Sequence, residues 1–388
     1  MNKQVRNADY TKQYNRKMLL KLLLKAPASR AELARDIGLT KASVSIMVDE
    51  LLSNNILQEL DCEHICRGRK PTPLTVNPCA FYAFGFFLNR EVCKVGIVGI
   101  GGQCTELFSL SDVIGYAPST VIDMACHAIN DYMDKHPRIR KKILGVGISC
   151  PGRLDLQNGI ILNPPGFESW HGYAICNEIT KRTGLLSYAC DNADALALYN
   201  LRYGSCKNHS DFLLLLVDTG IGSGIVMKNK IYHGAGNASP ELGHVSIKFM
   251  GRQCGCGNKG CLEAYAAIPM LLENSPYKNY YDLITVAKED KDAYDLLSLE
   301  ATYLSTAIVT ALNMFDLKTI CLAGDIITGF DYFSQMLHER INPVLAVQKK
   351  APIQLLCADT SANYETISGA NVLFSSYLDS SSLTLPGL

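Results

Sequence analysis

The chain has 388 residues, 48% of them apolar and 19% charged, which is enough to bury two or three hydrophobic cores and excludes a disordered protein. Its longest apolar run, FLLLLV at 212–217, is far shorter than the ~20 residues that span a bilayer. The polar start MNKQVRNADY lacks the apolar core of a secretion signal, so we expect a cytoplasmic protein that does not enter a membrane.

The net charge of zero hides an uneven distribution. Residues 1–75 carry 13 Lys and Arg against 8 Asp and Glu, so a head of +5 precedes a body of −5. We therefore expect the head, and not the body, to meet a polyanion.

Three helical segments open the chain. The stretch NRKMLLKLLLKAP has apolar residues at helical spacing and stops at Pro27. SRAELARDIG begins with a capping box of Ser29 and Glu32 and ends at Gly38. Thr40 caps the third segment, KASVSIMVDELLSNN. The two short helices around a glycine-containing turn predict a helix-turn-helix, with the third helix as the recognition helix.

The recognition helix has two predicted faces. Val44, Val48 and Leu51 repeat at helical spacing and should face the core of the head. The other face is small and polar, and Ile46 on it is expected to meet a thymine methyl group. We predict DNA contacts here from Ser29, Thr40, Lys41, Ser43 and Ser45.

A β-hairpin is predicted next, in ILQELDCEHICRGRKPTPLTVNP. Its tip carries Arg67, Arg69 and Lys70, cations that can reach phosphates or the minor groove. This hairpin would be the wing of a winged helix-turn-helix over residues 1–78. A solvated helical bundle is the alternative, and the wing and the charge of the head favour DNA binding over it.

The body after Pro78 alternates strand-like and helical segments. FYAFGFFL, CKVGIVGI, ILGVGISC, FLLLLVDTGIGSGIVM and LKTICLAGDI are predicted strands, and a helix is predicted near 118–134. This pattern favours an α/β fold, and the two strand-rich parts are compatible with two similar lobes that face a cleft.

Most of the fifteen cysteines are predicted to be small buried residues, but three form a cluster with one histidine. His244, Cys254, Cys256 and Cys261 give H-x9-C-x-C-x4-C, with glycines that allow a tight turn around an ion. One imidazole and three thiolates form a closed tetrahedral set, which is typical of structural zinc. A chance cluster or a redox pair is the alternative.

Two glutamates adjoin this cluster. Glu241 precedes His244 by three residues, and Glu263 follows Cys261 by two. Carboxylates held rigidly by the metal loop could accept hydrogen bonds from sugar hydroxyls. They could equally be surface salt-bridge partners, and their spacing does not decide between these roles.

In these motifs the chain resembles the ROK family (repressors, open reading frames and kinases), and with its head it is similar to the xylose-repressor-like branch. The resemblance covers nearly the whole chain. It rests on SRAELARDIGLTKASVSIMVDELLSNNILQE, GRKP, DTGIGSGIVM, ELGH, the highly specific CGCGNKGCLE, and SGA at 368–370.

The resemblance implies two ribonuclease-H-like lobes of the actin and hexokinase type around a sugar cleft, and dimers or tetramers. The lobes would be residues 79–198 and 199–366, with a helix near 367–388 returning to the first lobe. Implied sugar contacts are Glu241, His244 (also on zinc) and Glu263, together with Asn163, Asp191 and Asn192.

Kinase chemistry is not expected. Family kinases carry an Asp in Glu-Asn-Asp-Ala-Asn that takes the proton from the sugar, and CDNADALALYN at 190–200 has Asn192 there. An amide cannot act as a general base. If the match is shifted by one residue, Asp191 takes the position of the base instead. The family kinases also bind phosphate with an Asp-x-Gly-Gly-Thr turn after the first strand. This chain has FLNRE, residues 87–91, in its place.

The sequence thus predicts a sugar-responsive regulator, a repressor of carbohydrate uptake or catabolism genes, that binds operator DNA through its head and a sugar in the body. A sugar kinase with a regulatory head is one alternative. A regulator controlled by a protein partner is the other.

Overall fold

The computed structural model describes residues 8–60, 72–164, 166–380, 383–384 and 386. The head begins with three helices and ends with two short antiparallel strands, in which Gln58 pairs with Thr75. Its elements are α1 Ala8–Lys25, α2 Arg30–Ile37, α3 Lys41–Ser53, β1 Leu57–Glu59 and β2 Leu74–Val76.

The predicted helix signals of the head are confirmed. Ser29 and Glu32 form a reciprocal capping box at the start of α2. Gly38 ends α2 with φ +75°, a left-handed conformation that favours glycine. The Thr40 side chain accepts a hydrogen bond from the Ser43 amide at the start of α3. The tip of the predicted wing, with Arg67, Arg69 and Lys70, lies outside the described residues.

The first lobe is built on one five-stranded sheet. Its elements are β3 Tyr82–Leu88, β4 Val92–Gly99, β5 Cys104–Ser111, α4 Pro118–Lys135, α5 Pro137–Arg140, β6 Ile143–Cys150, β7 Leu154–Asp155, β8 Ile160–Ile161, α6 Ile175–Thr183, β9 Ser187–Asp191 and α7 Asn192–Arg202. The strand order is β5-β4-β3-β6-β9, with β3, β4 and β5 antiparallel and β6 and β9 parallel to β3.

The second lobe repeats this topology. Its elements are β10 Phe212–Val217, β11 Ile221–Met227, β12 Lys230–Ile231, α8 Glu263–Ala266, α9 Ile268–Leu272, α10 Tyr280–Val286, α11 Lys291–Phe315, β13 Thr319–Ala323, α12 Phe330–Val347, β14 Gln354–Cys357 and α13 Tyr364–Asp379. The strand order is β12-β11-β10-β13-β14, with the last two strands parallel to β10. The predicted α/β fold of two similar lobes behind a helical head is confirmed.

Helices cover both faces of the second sheet. In β10, Leu213, Leu215 and Val217 join the buried cluster that includes α11 and α12, while Phe212 and Leu214 face the cluster of α7 and α13. Burial on both faces explains why the strand is a continuous apolar run. Within the described residues, no helix is long and apolar enough to cross a membrane.

The last helix returns to the first lobe. α13 packs on β3 and β6 so closely that a Cβ on Gly85 would lie 1.8 Å from the Thr366 carbonyl oxygen. A Cβ on Gly147 would lie 2.1 Å from the carbonyl oxygen of Gly369. Glycine is therefore required in both strands. The predicted boundary between residues 198 and 199 falls inside α7, which packs on both α13 and β11, so the division into lobes at this point stays a prediction.

Candidate functional sites in the head, the metal cluster and the interlobe cleft

The first predicted site is the exposed face of α3. Val44, Val48 and Leu51 are fully buried, as predicted. Ile46 is 69% exposed. The predicted DNA-contact residues Thr40, Lys41 and Ser43 are exposed and Ser45 is half-buried.

Ser29 is the exception among the predicted DNA contacts. Its side chain is only 6% exposed, and its hydroxyl both donates to the Glu32 carboxylate and accepts from the Glu32 amide. Ser29 therefore caps α2 and is not placed to touch DNA.

Most cations in the described part of the head form ion pairs or hydrogen bonds with other residues of the protein. Lys17 is buried and donates to the Ser380 carbonyl. Of the cations in the described part of the head, Lys25 and Lys41 are the two for which the structure shows neither an ion pair nor a side-chain hydrogen bond. The others form the pairs Lys12–Glu50, Arg16–Glu50, Lys21–Asp379, Arg30–Asp49 and Arg35–Asp36.

The four predicted metal ligands converge. The ligand atoms of His244, Cys254, Cys256 and Cys261 all lie within 4.8 Å of one another. The Cys256 and Cys261 sulfurs are 3.7 Å apart, and the Cys254 sulfur is 3.6 Å from His244 Nδ1. A tetrahedral zinc site with bonds of about 2.3 Å to sulfur and about 2.0 Å to nitrogen has edges of about 3.8 and 3.5 Å. The residues therefore fit a closed four-ligand zinc site.

Tight local turns bring these ligands together. Ser246 forms a β-bridge with Cys261, and Gln253 forms one with Lys259. Gly260 has φ +80°, and a Cβ there would lie 1.8 Å from the Lys248 carbonyl oxygen. Only glycine fits at this position, which explains one of the glycines in CGCGNKGC.

Hydrogen bonds to strand β11 position the segment that leads to His244 and the neighbouring Glu241 and Glu263. The Ser223 hydroxyl donates to the Pro240 carbonyl and accepts from the Leu242 amide, so it clamps both sides of Glu241. The Glu263 carboxylate accepts a hydrogen bond of 3.0 Å from the Ile221 amide at the start of β11. Glu241, His244 and Glu263 therefore gather around one strand end.

Glu241 faces a cation that the sequence did not single out. Arg153, in the loop after β6 of the first lobe, has its Nε 3.5 Å from Glu241 Oε1. His244 Nε2 is 3.9 Å from the other oxygen of Glu241. The alternative in which Glu241 forms a salt bridge is therefore correct in part. Its partner belongs to the opposite lobe, so the ion pair crosses the cleft.

The first lobe contributes the start of α7. The Asp191 carboxylate caps this helix by accepting a hydrogen bond from the Ala193 amide. Burial, together with the nearby Asp194 and Glu241 carboxylates, raises the pKa of Asp191 to about 8. Asp194 is fully buried and accepts hydrogen bonds from His233 and Ser239, which anchors the loop before Glu241 to α7.

Asn192, which the sequence predicts to match the kinase base, has hydrogen bonds on both sides of its amide. Its Oδ1 accepts a hydrogen bond of 2.6 Å from the Ser149 hydroxyl, and its Nδ2 donates to the Leu88 carbonyl at 3.3 Å. The amide thus ties together the ends of β3 and β6. A carboxylate in the same orientation would face the Leu88 oxygen without a proton to share.

Asn163 lies exposed on the loop between β8 and the buried Trp170. The next residue, Pro164, accepts a hydrogen bond at its carbonyl from His171 Nε2 at 3.0 Å. The structure therefore offers Asn163 to solvent at the edge of the first lobe.

The glycine loop DTGIGSG supports helix packing. A Cβ on Gly222 would lie 3.1 Å from the Ala193 Cβ, and one on Gly224 would lie 2.8 Å from the Ala193 carbonyl oxygen. These glycines let α7 approach β11, so their presence does not require a bound nucleotide.

The chain belongs to the ROK family. The family profile matches residues 111–376, which is more than half of the chain.

Among its relatives are proteins named as repressors. The chain is 28% identical over 382 residues to the xylose repressor of Bacillus spizizenii, covering 95% of this chain and 97% of the relative. It is 25% identical over 343 residues to the N-acetylglucosamine repressor of Escherichia coli O157:H7, covering 83% of each.

Solved structures share the fold. A ROK family transcriptional regulator described as a homologue of the E. coli MLC protein has a TM-score of 0.74 at 24% identity, covering 96% of this chain and 98% of that one. The ROK hexokinase of Thermus thermophilus has a TM-score of 0.64 at 23% identity. The match covers 75% of this chain and 98% of the hexokinase chain. The regulator therefore matches the head as well as the body, and the hexokinase covers a smaller share of the chain.

Proposed function

We propose that this protein is a sugar-responsive transcriptional repressor without kinase activity. It binds operator DNA through the head and a sugar in the interlobe cleft, and it controls genes of carbohydrate uptake or catabolism. Relatives named as repressors that align over most of the chain support this function.

One observation carries the proposal. A single chain joins an exposed helix face, with Lys41 and Ile46, to a cleft whose catalytic position is Asn192. Both groups of that amide hold strand ends, and an amide cannot take a proton from a sugar.

DNA contacts come from the start of α3 and from the wing. Thr40, Lys41, Ser43 and Ser45 enter the major groove, and Ile46 meets a thymine methyl group. Arg67, Arg69 and Lys70 on the wing supply most of the charge, since most of the other cations in the described part of the head are paired within the protein. The protein acts as a homodimer or tetramer, so that two heads meet an inverted repeat.

The sugar binds between Glu241, His244 and Glu263 on one side and Asn163, Asp191 and Asn192 on the other. Zinc on His244, Cys254, Cys256 and Cys261 is structural, because the four ligands leave no open coordination position. It fixes His244 and, through the chain on either side, the two glutamates.

A contact on the C-terminal helix α13 can couple movements of the lobes to the position of the head. The Asp379 carboxylate at the end of α13 lies 2.5 Å from Lys21 Nζ of α1 and 3.6 Å from Lys230 Nζ of β12. One side chain therefore touches the head and the second lobe. A change in lobe closure moves these partners relative to one another and alters the spacing of the two heads on DNA.

The kinase alternative has one observation in its favour. A carboxyl with a pKa of about 8, such as Asp191, is suited to act as a base near neutral pH. Transfer of phosphate from ATP to a hexose, lost in Asp191→Ala, would establish that alternative.

DNA binding is tested by fluorescence anisotropy on DNA from upstream of the protein's own gene at several salt concentrations. Lys41→Gln should weaken binding severalfold and reduce the slope of log affinity against log salt by about 1. Lys141→Gln, which removes an exposed cation from the body, is the control and should change neither. The absence of specific DNA binding at moderate salt would contradict the proposed function.

A further inference from the structure

A cation occupies the place of the missing phosphate turn. Arg90 follows β3, is half-buried, and points toward the loop that carries Asn163, because a Cβ on Gly166 would lie 3.6 Å from Arg90 Nη1. Among the described residues, no acidic group forms an ion pair with it. Partial burial weakens the hydration of a guanidinium, so a ligand anion at this point would supply a missing partner.

A second cation borders the same loop. The Arg153 carbonyl accepts a hydrogen bond of 2.9 Å from the Leu162 amide, so Arg153 is fixed at the other end of this segment. Residues 162 to 166 span at most about 14 Å when fully extended. Arg90 and Arg153 therefore lie at the two ends of one short loop.

Carboxylates occupy another part of the cleft. Asp218 and Asp325 follow the carboxyl ends of β10 and β13, and Glu91 follows β3. Burial raises the pKa of Asp325, and the nearby Asp218 and Glu91 carboxylates raise it further, so the three groups lie close enough to interact. Negative charge here disfavours a polyphosphate chain.

We propose that the ligand of the cleft is a sugar carrying one anionic group, a phosphate monoester or a carboxylate, which Arg90 binds with Arg153 as a second contact. This inference rests on the proposed sugar-receptor function and narrows its ligand class. When the ligand binds, its hydroxyls donate hydrogen bonds to the Glu241 carboxylate and its anionic group binds the Arg153 guanidinium. These contacts replace the Arg153–Glu241 ion pair that crosses the cleft. The ligand thereby changes a contact between the lobes.

The chain contains a single tryptophan that can report on this site. Trp170 lies four residues after Gly166 and stacks on Phe167 with ring centroids 5.3 Å apart. Its fluorescence, with calorimetry in parallel, is followed during titration with glucose, galactose and N-acetylglucosamine, with the 6-phosphate of each, and with glucuronate and galacturonate. ATP and inorganic phosphate are titrated separately.

At least one anionic sugar should bind about tenfold or more tightly than its neutral parent, as expected for hydrogen bonds to a charged group. The phosphate and carboxylate series show which anion is used. Arg90→Gln should remove that difference. Arg90→Lys, which keeps the charge and loses the planar fork, should give an intermediate affinity. Arg138→Gln, an exposed cation of the same lobe, is the matched control and should bind like the wild type.

The failures of the two proposals are distinguishable. Neutral sugars that bind as tightly as their anionic forms, or an Arg90→Gln variant that folds and keeps full preference for the anion, would overturn the ligand class and leave the sugar receptor in place. ATP or inorganic phosphate binding as tightly as the sugar phosphate would also overturn it. No binding of any of these sugars would contradict both proposals.

Discussion

The metal cluster and the interlobe cleft are built in opposite ways. All four metal ligands lie within residues 244–261, and tight turns bring them to tetrahedral spacing. The cleft instead takes residues from separate segments of both lobes, and Asn163, Asp191 and Glu241 depend on packing between distant parts of the chain. The first site should control stability, and the second should control ligand response.

Loss of a metal ligand should have the largest effect on stability. Cys261→Ser should reduce bound zinc from about one per chain to nearly none and destabilise the protein by on the order of 4 kcal/mol. Metal analysis and thermal unfolding measure both. Cys104→Ser, outside the cluster, should keep its zinc; equal zinc in the two variants would mean that the cluster is not the metal site.

Replacement of the half-buried Asp191 should stabilise the protein at higher pH. The folded pKa of Asp191 is raised to about 8, so the native state keeps a proton that the unfolded chain releases, and stability falls as pH rises from about 4 to about 8. Asp191→Asn keeps a good helix cap and cannot ionise. It should gain on the order of 2 kcal/mol over the wild type at pH 8 and little at pH 4.

Urea unfolding at pH 4, 6 and 8 provides the measurement. Asp295→Asn, at an exposed position on α11, is the control and should follow the wild type at all three values. A difference between Asp191→Asn and the wild type that does not depend on pH would contradict a protonated Asp191.

The smallest effect is expected at Asn192, the residue that the sequence predicts to match the kinase base. Asn192→Asp should lose the hydrogen bond to the Leu88 carbonyl and cost about 1 to 2 kcal/mol, measured by urea unfolding. It should not gain phosphate transfer from ATP, because the first phosphate turn is also missing. Restored kinase activity in this variant would show that the turn is dispensable.

Sequence reasoning was most complete where the information is local. The capping box at Ser29, the turn at Gly38 and the four metal ligands depend on residues close in the chain, and the structure confirms their geometry. The internal pairing of Lys17 and Lys21 depends on α13, more than 300 residues away, so charge counting overstated the cations open to DNA.

The cleft shows the same limit. Glu241 and Glu263 could be placed beside the cluster, but the Arg153 partner of Glu241 comes from the other lobe. The match of Asn192 to the kinase base was visible in the sequence, whereas its bonds to Leu88 and Ser149 required the packed ends of two strands.

The most direct test of the central claim measures coupling between the cleft and the head. The affinity of the full chain for DNA from upstream of its own gene is measured by anisotropy with and without a sugar that binds the cleft, in wild type and Glu241→Gln. The sugar should change the wild-type affinity about fivefold or more. Glu241→Gln should bind DNA normally and lose that response. A DNA affinity that ignores every sugar bound in the cleft would contradict a sugar-responsive repressor.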